Sequence, residues 1–379
     1  MNYRIPFNRP TLIPEALNCV SEVVRSGRLS GNGPCTHACE TRLCELTSAH
    51  AALLTSSCTS ALEMSALLVE AQPGDEVIIP SFTFVSTANA FVLRGARPVF
   101  VDVRADTLNM DARLIESALS PRTKAIVPVH YAGMSSDMDV ILECARQHDL
   151  IVIEDAAQAL GSCWRARPLG SLGHLAAFSF HETKNVVAGE GGALAILDER
   201  FAERAEVLWE KGTNRTRFHR GEVDKYTWID VGSSFLPSEL TAAFLWAQLE
   251  AADDINRRRL LIWNIYKERC EAIPSIRTPV IPAECTHNGH LFYVVLPGGA
   301  DRAAVLQGLA VRGVHSVFHY VPLHEAPAGR RFGRVATPMT VTEDVSRRLI
   351  RLPLWAGMEP EMAVTVVNAL AEVLSTECH

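Results

Sequence analysis

The sequence has no long apolar run, and this absence limits where the protein can work. No stretch approaches the roughly 18 consecutive apolar residues of a membrane-spanning helix, so we expect no membrane span and no membrane partner. The segment Met1-Asn-Tyr-Arg-Ile-Pro-Phe-Asn8 contains no apolar core of a secretory signal. We therefore expect a cytoplasmic protein.

An excess of basic residues is also missing. The formal net charge at pH 7 is −7, so no general positive field is available to hold nucleic acid or an anionic membrane surface. Any anionic ligand must therefore be bound by a local site. No strand-like run leads into a G-x-G-x-x-G loop, which argues against a nucleotide-binding oxidoreductase.

The ten cysteines lack the close pairing of a metal or disulfide framework. They are scattered through a large chain, which favours reduced thiols. Cys35, Cys39 and Cys44 lack the C-x-x-C pairs of zinc sites, and they lie in a segment, residues 36–46, that is typical of a helix. We predict that they pack a helix, and we expect no metal site.

The sequence does contain a series of short, continuous apolar runs that alternate with helical patterns between about residues 50 and 200. Continuous rather than alternating apolar runs indicate strands buried on both faces of a mostly parallel sheet, with helices covering both faces. The predicted strands are residues 77–80, 98–102, 125–130, 151–155 and 176–180, and the predicted helices between them include 59–70 and 138–148.

A second, smaller unit is predicted beyond a long helical segment at residues 237–269. Its pattern is a strand at 291–296, a helix at 301–312, a strand at 314–320 and a terminal helix at 360–375. A chain of 379 residues suits one large and one smaller domain. We predict a large domain over residues 1–250 and a small α/β domain over residues 251–379.

Two charged residues at predicted strand ends carry the strongest functional signal. Asp155 closes the apolar run that begins at Leu150, and Lys184 follows the run that ends at Phe180, 29 positions further on. Ligands of α/β proteins bind at the carboxyl edge of the sheet. A carboxylate that keeps a pyridine nitrogen protonated and a lysine that bonds to an aldehyde are the two groups that pyridoxal 5'-phosphate (PLP) requires.

Each of these residues also has a purely structural interpretation. Asp155 could cap the following helix, and Lys184 could be a surface lysine, although its glycine-rich, apolar surroundings favour burial and a lowered amine pKa. We interpret Lys184 as catalytic. Gln158, in the turn after Asp155, would contact the same ring.

A polar turn that starts a helix is a candidate for the phosphate. Thr59 and Ser60 follow the run ending at Leu54, and a helix N-terminus offers free N–H groups and a favourable dipole. Ser179 would add a further donor. The alternative is that the hydroxyls only cap the helix. Phe84 follows another strand end and is our candidate for stacking on the ring, although core packing is the usual role of phenylalanine.

Five further residues are candidates for substrate contacts. His130 ends a predicted strand at the same edge, but a packed histidine is an equal alternative. The basic segment around Lys211 and Arg215 would meet a diphosphate or form a solvated loop. His319 and Tyr320 end a strand of the predicted small domain and would face the cleft.

Taken together, these motifs resemble the DegT/DnrJ/EryC1/StrS family of sugar aminotransferases, which have the type I, aspartate-aminotransferase-like fold of PLP-dependent transferases. The resemblance covers nearly the whole chain. Its motifs are Ser26–Gly33, Cys58–Leu62, Pro80–Phe84, Glu154–Gln158, Ser179–Asn185, Gly189–Gly192 and Tyr320–His324.

The resemblance implies a cofactor, a reaction and an assembly. PLP would be bonded to Lys184, paired with Asp155 and held at its phosphate by Thr59, Ser60 and Ser179. L-Glutamate would donate its amine to C4 of a dTDP-linked 4-keto-6-deoxyhexose. Family members are homodimers with shared active sites, in which a partner residue reaches the phosphate. Here Ser234 stands where the family's asparagine is expected.

Other activities stay open at this point. The same ketone aminated to the gluco epimer, or a sugar aminated at C3, would fit the same motifs. Relatives with histidine in place of the lysine catalyse dehydration, and Lys184 argues against that reaction. A non-catalytic ligand-sensing regulator is the alternative from a different class, and the intact Asp155 and Lys184 speak against it.

Overall fold

The computed structural model describes residues 3–377. Its strands, numbered in chain order, are β1 (Ala51–Thr55), β2 (Glu76–Pro80), β3 (Arg97–Val101), β4 (Thr123–Ile126), β5 (Ile151–Asp155), β6 (Cys163–Trp164), β7 (Arg167–Pro168), β8 (Leu175–Ser179), β9 (Gly192–Ile196), β10 (Cys285–Thr286), β11 (Phe292–Val295), β12 (Val317–Phe318), β13 (Arg334–Val335) and β14 (Leu349–Leu352).

The α-helices are numbered in the same way. They are α1 (Pro14–Ser26), α2 (Pro34–Thr47), α3 (Cys58–Leu68), α4 (Val85–Val92), α5 (Ile115–Ala118), α6 (Met138–Gln147), α7 (Ala202–Trp209), α8 (Arg215–His219), α9 (Glu239–Glu250), α10 (Ala252–Cys270), α11 (Arg302–Val311), α12 (Pro327–Phe332), α13 (Thr340–Arg348) and α14 (Pro360–Glu377). No helix within residues 3–377 combines the length and the apolar character needed to cross a membrane.

A mixed sheet in the order β1-β9-β8-β5-β4-β2-β3-β13 forms the centre of the described chain. The pairs from β8 to β13 are all parallel, and β9 runs antiparallel to both of its neighbours. Neighbouring residues of β5 pack on opposite faces of the sheet. Val152 belongs to the hydrophobic core on one face, and Ile153 belongs to the core on the other. The predicted α/β architecture with a mostly parallel sheet is therefore confirmed.

The strand predicted over residues 125–130 is too long. β4 ends at Ile126, and only Val129 makes a further isolated bridge, to Asp155. Pro128 has no N–H to donate to a neighbouring strand, so the regular ladder stops before it. His130 consequently precedes a short 3₁₀ turn, Tyr131–Gly133, instead of ending a strand.

A separate core lies beneath the sheet β11-β14-β12 and helices of the C-terminal part. The long helical segment predicted at 237–269 is two helices, α9 and α10, with Ala251 between them. The predicted domain boundary falls at this break. Two contacts cross this boundary. Ile5, from the N-terminal segment, packs in the C-terminal core, and β13, from the C-terminal part, pairs with β3 of the large sheet. The division into two domains stays a prediction.

The predicted helix that carries Cys35, Cys39 and Cys44 is confirmed. Cys35, Cys39 and Cys44 all lie on α2, and the nine cysteines within residues 3–377 are free thiols. Cys39 is fully buried, and its Sγ lies 3.3 Å from the carbonyl oxygen of Ala242 on α9. These side chains hold α2 against its neighbours.

Candidate active site

A cavity of about 750 Å³ opens where the carboxyl ends of the parallel strands meet the C-terminal sheet. One wall comes from the ends of β5 and β8 and from the first residues of α3 and α4. The opposite wall comes from β14 and from the residues that follow β12. The N-terminal segment closes one side through Phe7 and Asn8, and Asn8 Nδ2 donates to the carbonyl oxygen of Glu182 at 3.1 Å.

Asp155 is the last residue of β5, and its carboxylate is oriented by two neighbours. Oδ2 accepts a hydrogen bond from Thr87 Oγ1 at 2.7 Å, and Oδ1 accepts one from the Ala157 N–H at 3.2 Å. Burial raises the pKa of Asp155, and the Thr87 hydrogen bond acts in the opposite direction because it favours the ionised form. The group is therefore a positioned, poorly hydrated carboxylate.

Lys184 lines the same cavity as Asp155. It sits in a tight turn after β8, where its N–H donates to the carbonyl oxygen of His181 at 2.9 Å. Burial lowers the pKa of the Lys184 amine, and the negative charge of Asp155 partly offsets that shift. A lowered pKa increases the fraction of neutral, nucleophilic amine near neutral pH.

The first turn of α3 presents one of the two predicted hydroxyls to the cavity. Thr59 lines it, and its Oγ1 shares a 2.7 Å hydrogen bond with Ser86 Oγ. Ser60 is not in the cavity wall, because its Oγ is hydrogen-bonded to Ser56 and Ser57 within the turn. Ser57 caps the helix by accepting from the Ser60 N–H, so the capping and the ligand-facing roles are divided between neighbouring residues.

A glycine fixes this turn against the sheet. A Cβ atom on Gly192 would lie 2.3 Å from the carbonyl carbon of Ser57 and 2.4 Å from the Cys58 nitrogen. Only glycine allows β9 to approach the start of α3 so closely. Ser179, at the end of β8 and opposite Gly192 in the sheet, also lines the cavity.

An aromatic ring faces the cavity without being part of a core. Phe84 precedes the first residue of α4, and 57% of its surface is exposed although it is a large apolar residue. Core packing, the alternative interpretation, is therefore excluded for this ring. An exposed phenylalanine on a cavity wall is suited to stack on a flat ligand.

Gln158, His319 and Tyr320 join the two walls. Gln158 Nε2 donates to the Tyr320 hydroxyl at 3.2 Å, while its Oε1 accepts from the Ala132 N–H at 2.7 Å. His319 Nδ1 is hydrogen-bonded to the Tyr131 hydroxyl at 3.0 Å. Burial lowers the pKa of His319 well below its usual range, so this ring is neutral at neutral pH.

Besides Ser60, four predicted residues do not line this cavity. His130 is completely buried and hydrogen-bonded through Nε2 to Glu154 Oε2 at 2.8 Å, so the pocket-lining interpretation is wrong and the packed alternative holds. Lys211, Arg215 and Ser234 cluster on the surface around Glu210. The Lys211 amine lies 2.9 Å from the Glu210 carboxylate, and Ser234 forms a backbone bridge to Glu210.

Thr87, Arg351 and His290 are among the cavity residues to which sequence reasoning assigned no role. Thr87 holds Asp155, and it does so from α4, where it is also hydrogen-bonded to the Thr83 hydroxyl one turn earlier. In the sequence, Thr87 is marked only by its position in the polar stretch around Phe84. Arg351 and His290 enter from the C-terminal sheet side, and nothing in their local sequence marks them.

The residues present fit PLP. A carboxylate, an amine of lowered pKa, two hydroxyls beside a helix N-terminus and an exposed aromatic ring all face one space large enough for the cofactor. An α/β fold with these groups at its sheet edge defines a PLP-dependent transferase of the type I class.

The comparisons narrow this class to a family. A model of the DegT/DnrJ/EryC1/StrS aminotransferase family matches residues 10–371. A spore coat polysaccharide biosynthesis protein, SpsC of Bacillus subtilis, is 34% identical over 381 residues, covering 98% of each chain. The chain belongs to this family, whose aminotransferases are PLP-dependent.

Solved structures agree with the family assignment. The aminotransferase TlmJ of Streptoalloteichus hindustanus superposes with a TM-score of 0.91 at 32% identity, over 99% of this chain and all of that one. A sugar aminotransferase described as putative, Spr1654 of Streptococcus pneumoniae, gives a TM-score of 0.92 in its PMP form at 27% identity, over 98% and 100% of the two chains. The fold is therefore that of PLP-dependent aminotransferases, and this chain is a sugar aminotransferase.

Proposed function

We propose that this protein transfers the amino group of L-glutamate to C4 of a dTDP-linked 4-keto-6-deoxyhexose, giving dTDP-4-amino-4,6-dideoxygalactose and 2-oxoglutarate. The observation that carries the proposal is that Asp155 and Lys184 line one cavity between the two walls. The stretches Glu210–Arg215, Val223–Trp228 and Leu245–Asp253 are similar to dTDP-4-amino-4,6-dideoxygalactose transaminase, an enzyme that makes a precursor of enterobacterial common antigen. A role in lipopolysaccharide biosynthesis belongs to the same proposal.

Asp155 and its supports would hold the cofactor ring. PLP, when bound, supplies an electron sink that stabilises negative charge at the substrate carbon. The Asp155 carboxylate, oriented by Thr87 and the Ala157 N–H, would accept a hydrogen bond from the protonated ring nitrogen. Gln158 and Phe84 would contact the ring, and Thr59 and Ser179 would donate to the phosphate.

Lys184 is the proton carrier in both halves of the reaction. In its neutral form Nζ would accept the proton from the α-carbon of glutamate as the amine is taken up. In the second half the incoming nitrogen replaces the keto oxygen, which leaves as water, and the same Nζ would return a proton to C4 of the sugar. The face from which Nζ reaches C4 decides between the galacto and gluco products.

Partner-chain residues complete the proposed site. Lys211, Arg215 and Ser234 lie outside the cavity of their own chain, which suits residues that reach a second subunit. Trp228 nearby is 78% exposed, and Tyr226, Ile229 and Val231 are also exposed apolar residues. An exposed apolar patch of this kind is typical of a subunit interface, so we propose a homodimer with shared active sites.

A panel of nucleotide-linked keto-sugars tests the sugar assignment. The protein with PLP and L-glutamate should convert the dTDP-linked 4-keto-6-deoxyhexose, and proton NMR should show the small coupling of H4 to H3 that an axial amine produces. A large H4 coupling would establish the gluco epimer, and reaction only with 3-keto sugars would establish a C3 aminotransferase. A protein that binds these sugars but never consumes glutamate would be the ligand-sensing regulator.

A further inference from the structure

A glutamate, a cysteine and a histidine lie together outside the active-site cavity. Glu116 is on the short helix α5, and Cys144 and His148 lie one turn apart at the end of α6. The Cys144 Sγ, a ring nitrogen of His148 and a carboxylate oxygen of Glu116 are all within 4.8 Å of one another. None of the three residues lines the cavity that contains Asp155 and Lys184.

The packing of α5 against α6 brings these three groups together. Residues four positions apart in a helix lie on the same face, and the His148 N–H donates to the carbonyl oxygen of Cys144 at 3.2 Å. Cys144 is buried in the same hydrophobic core as Ile115, the neighbour of Glu116 on α5. The thiol is therefore fixed by the core, and the other two groups reach it from the surface.

The separation of two of these groups is that of two ligands on a tetrahedral zinc ion. His148 Nε2 lies 3.3 Å from Glu116 Oε2. Two ligand atoms that are each about 2.0–2.2 Å from a tetrahedral zinc ion are about 3.3–3.6 Å apart. The distance from either atom to a zinc-bound sulfur is also about 3.6 Å. Because the Glu116 and His148 side chains are 59% and 41% exposed, they are free to rotate toward the buried thiol.

The donor atoms select the kind of ion. A thiolate and an imidazole are preferred ligands of Zn²⁺, whereas Mg²⁺ and Ca²⁺ take oxygen ligands. In the described part of the chain, no lysine or arginine nitrogen lies within 4.0 Å of the Glu116 carboxylate, so no side chain of fixed positive charge occupies the place of a metal ion. Three protein ligands at the surface leave the fourth position of a tetrahedral ion to water.

A second group of similar composition lacks these properties. His324, Glu325 and Glu343 also have ligand atoms within 4.8 Å of one another. However, His324 Nδ1 is hydrogen-bonded to Ser81 Oγ at 2.7 Å, and an Arg347 nitrogen lies 3.9 Å from each of the two carboxylates. The protein itself supplies the positive charge in this group, which also contains no thiol.

We infer that Glu116, Cys144 and His148 bind one Zn²⁺ ion per chain. Binding replaces the thiol proton, which is released to the solvent, and links α5 to the end of α6. Since the ligands lie outside the cavity, the role of the ion is to stabilise the fold, and it does not depend on the proposed reaction. The expectation of no metal site was based on cysteine pairs, whereas here a single cysteine is joined by a histidine one helical turn later.

A zinc titration of the PLP-loaded protein tests this inference. Bound metals are first removed with a chelator, and Zn²⁺ is then titrated against a chromophoric chelator in the presence of excess Mg²⁺. The proteins compared are the wild type, Cys144→Ser, His148→Gln and Glu116→Gln. We expect one Zn²⁺ per wild-type chain and an affinity at least about tenfold weaker in each variant, with the largest loss in Cys144→Ser.

Cys44→Ser is the matched control. Cys44 is a partly buried thiol on a helix, and Glu40 and Glu45 lie near it, as Glu116 lies near Cys144. Its variant should bind Zn²⁺ like the wild type. Thermal unfolding gives a second measurement, because saturation with Zn²⁺ should raise the Tm of the wild type and of Cys44→Ser but not that of Cys144→Ser.

Two outcomes would overturn the inference. A wild type that binds no stoichiometric Zn²⁺ would leave Glu116 and His148 as a surface ion pair. Equal zinc affinity in the wild type and in all three ligand variants would place the ion elsewhere in the chain. His148→Gln keeps the test decisive if Cys144→Ser does not fold, because the His148 side chain is exposed and lies outside the core.

Discussion

Burial changes the pKa values of the two central residues in opposite directions. It raises the pKa of the Asp155 carboxyl and lowers that of the Lys184 amine, because in each case the charged form loses hydration. Each charge partly offsets the shift of the other. The cavity therefore offers an amine that loses its proton more readily and a carboxylate that gains from pairing with a protonated ring, and these are the two properties that the proposed chemistry uses.

Lys184→Ala tests the residue on which the reaction depends. Because this amine both bonds to the cofactor and moves the proton, we expect turnover to fall by at least about a thousandfold and the covalent cofactor absorbance to disappear. Absorbance spectra and a coupled 2-oxoglutarate assay measure the two effects. Lys124→Ala, on β4 and away from the cavity, should behave as wild type, and substantial residual transamination by Lys184→Ala would reject the assignment.

Thr87→Val tests the support of Asp155 through the pH profile. The Thr87 hydrogen bond lowers the pKa of Asp155, so removing it raises that pKa and Asp155 becomes protonated at higher pH. Since the ionised carboxylate is the form that pairs with the ring, we expect the acidic limb of kcat/KM for L-glutamate to move to higher pH. Thr87→Ser keeps the hydroxyl and should therefore leave the acidic limb at its wild-type pH. An unchanged pH profile in Thr87→Val would contradict the supporting role of Thr87.

At the scale of elements, α9 supports α2 through a single buried carboxylate. Glu239, in the first turn of α9, accepts hydrogen bonds from the N–H groups of Gly33, Cys35 and Thr36 and from the Thr36 hydroxyl. The first N–H groups of a helix have no partner within it, and the helix dipole favours negative charge there. Glu239 therefore fixes the start of α2 from a position more than 200 residues away.

Glu239→Gln should destabilise the protein measurably. The amide replaces one acceptor oxygen by a donor that faces the N–H groups of α2, so we expect the free energy of unfolding to fall by about 1–3 kcal/mol. Urea denaturation followed by circular dichroism measures the change. Glu361→Gln, at an exposed position in the first turn of α14, should change stability by less than about 0.5 kcal/mol, and an equal effect in both variants would refute the specific support.

The sequence predicts those elements and site residues that are marked by a pattern of neighbouring residues. The residues of β2, β5 and β8 form continuous apolar runs because both faces of these strands are buried. Asp155 could be predicted as a site residue because it ends one of these runs. His130 was wrongly predicted because Pro128 ends β4 early. Arg351 was missed because its surroundings come from Phe7, Lys184 and Tyr131, which only the fold brings together.

At the scale of the whole molecule, the chain has a cavity and, outside it, a surface region that contains three of the residues predicted to bind ligands. Lys211, Arg215 and Ser234 lie around Glu210 and beside the exposed Trp228, outside the cavity of the same chain. In a twofold dimer, a surface that enters the partner's cavity receives the same contact in return. The three residues and the apolar patch are then explained by one interface.

Mixing inactive variants tests whether the active sites are shared. One variant is Lys184→Ala, and the other combines Lys211→Ala with Arg215→Ala. If the basic residues serve the partner's cavity, a mixed dimer contains one site with every group intact. Random reassembly should therefore restore about a quarter of the wild-type activity.

Lys184→Ala mixed with Asp155→Ala should restore none, because both residues belong to the cavity of their own chain. Activity in the first mixture no higher than in its separate components would place each complete site within a single subunit.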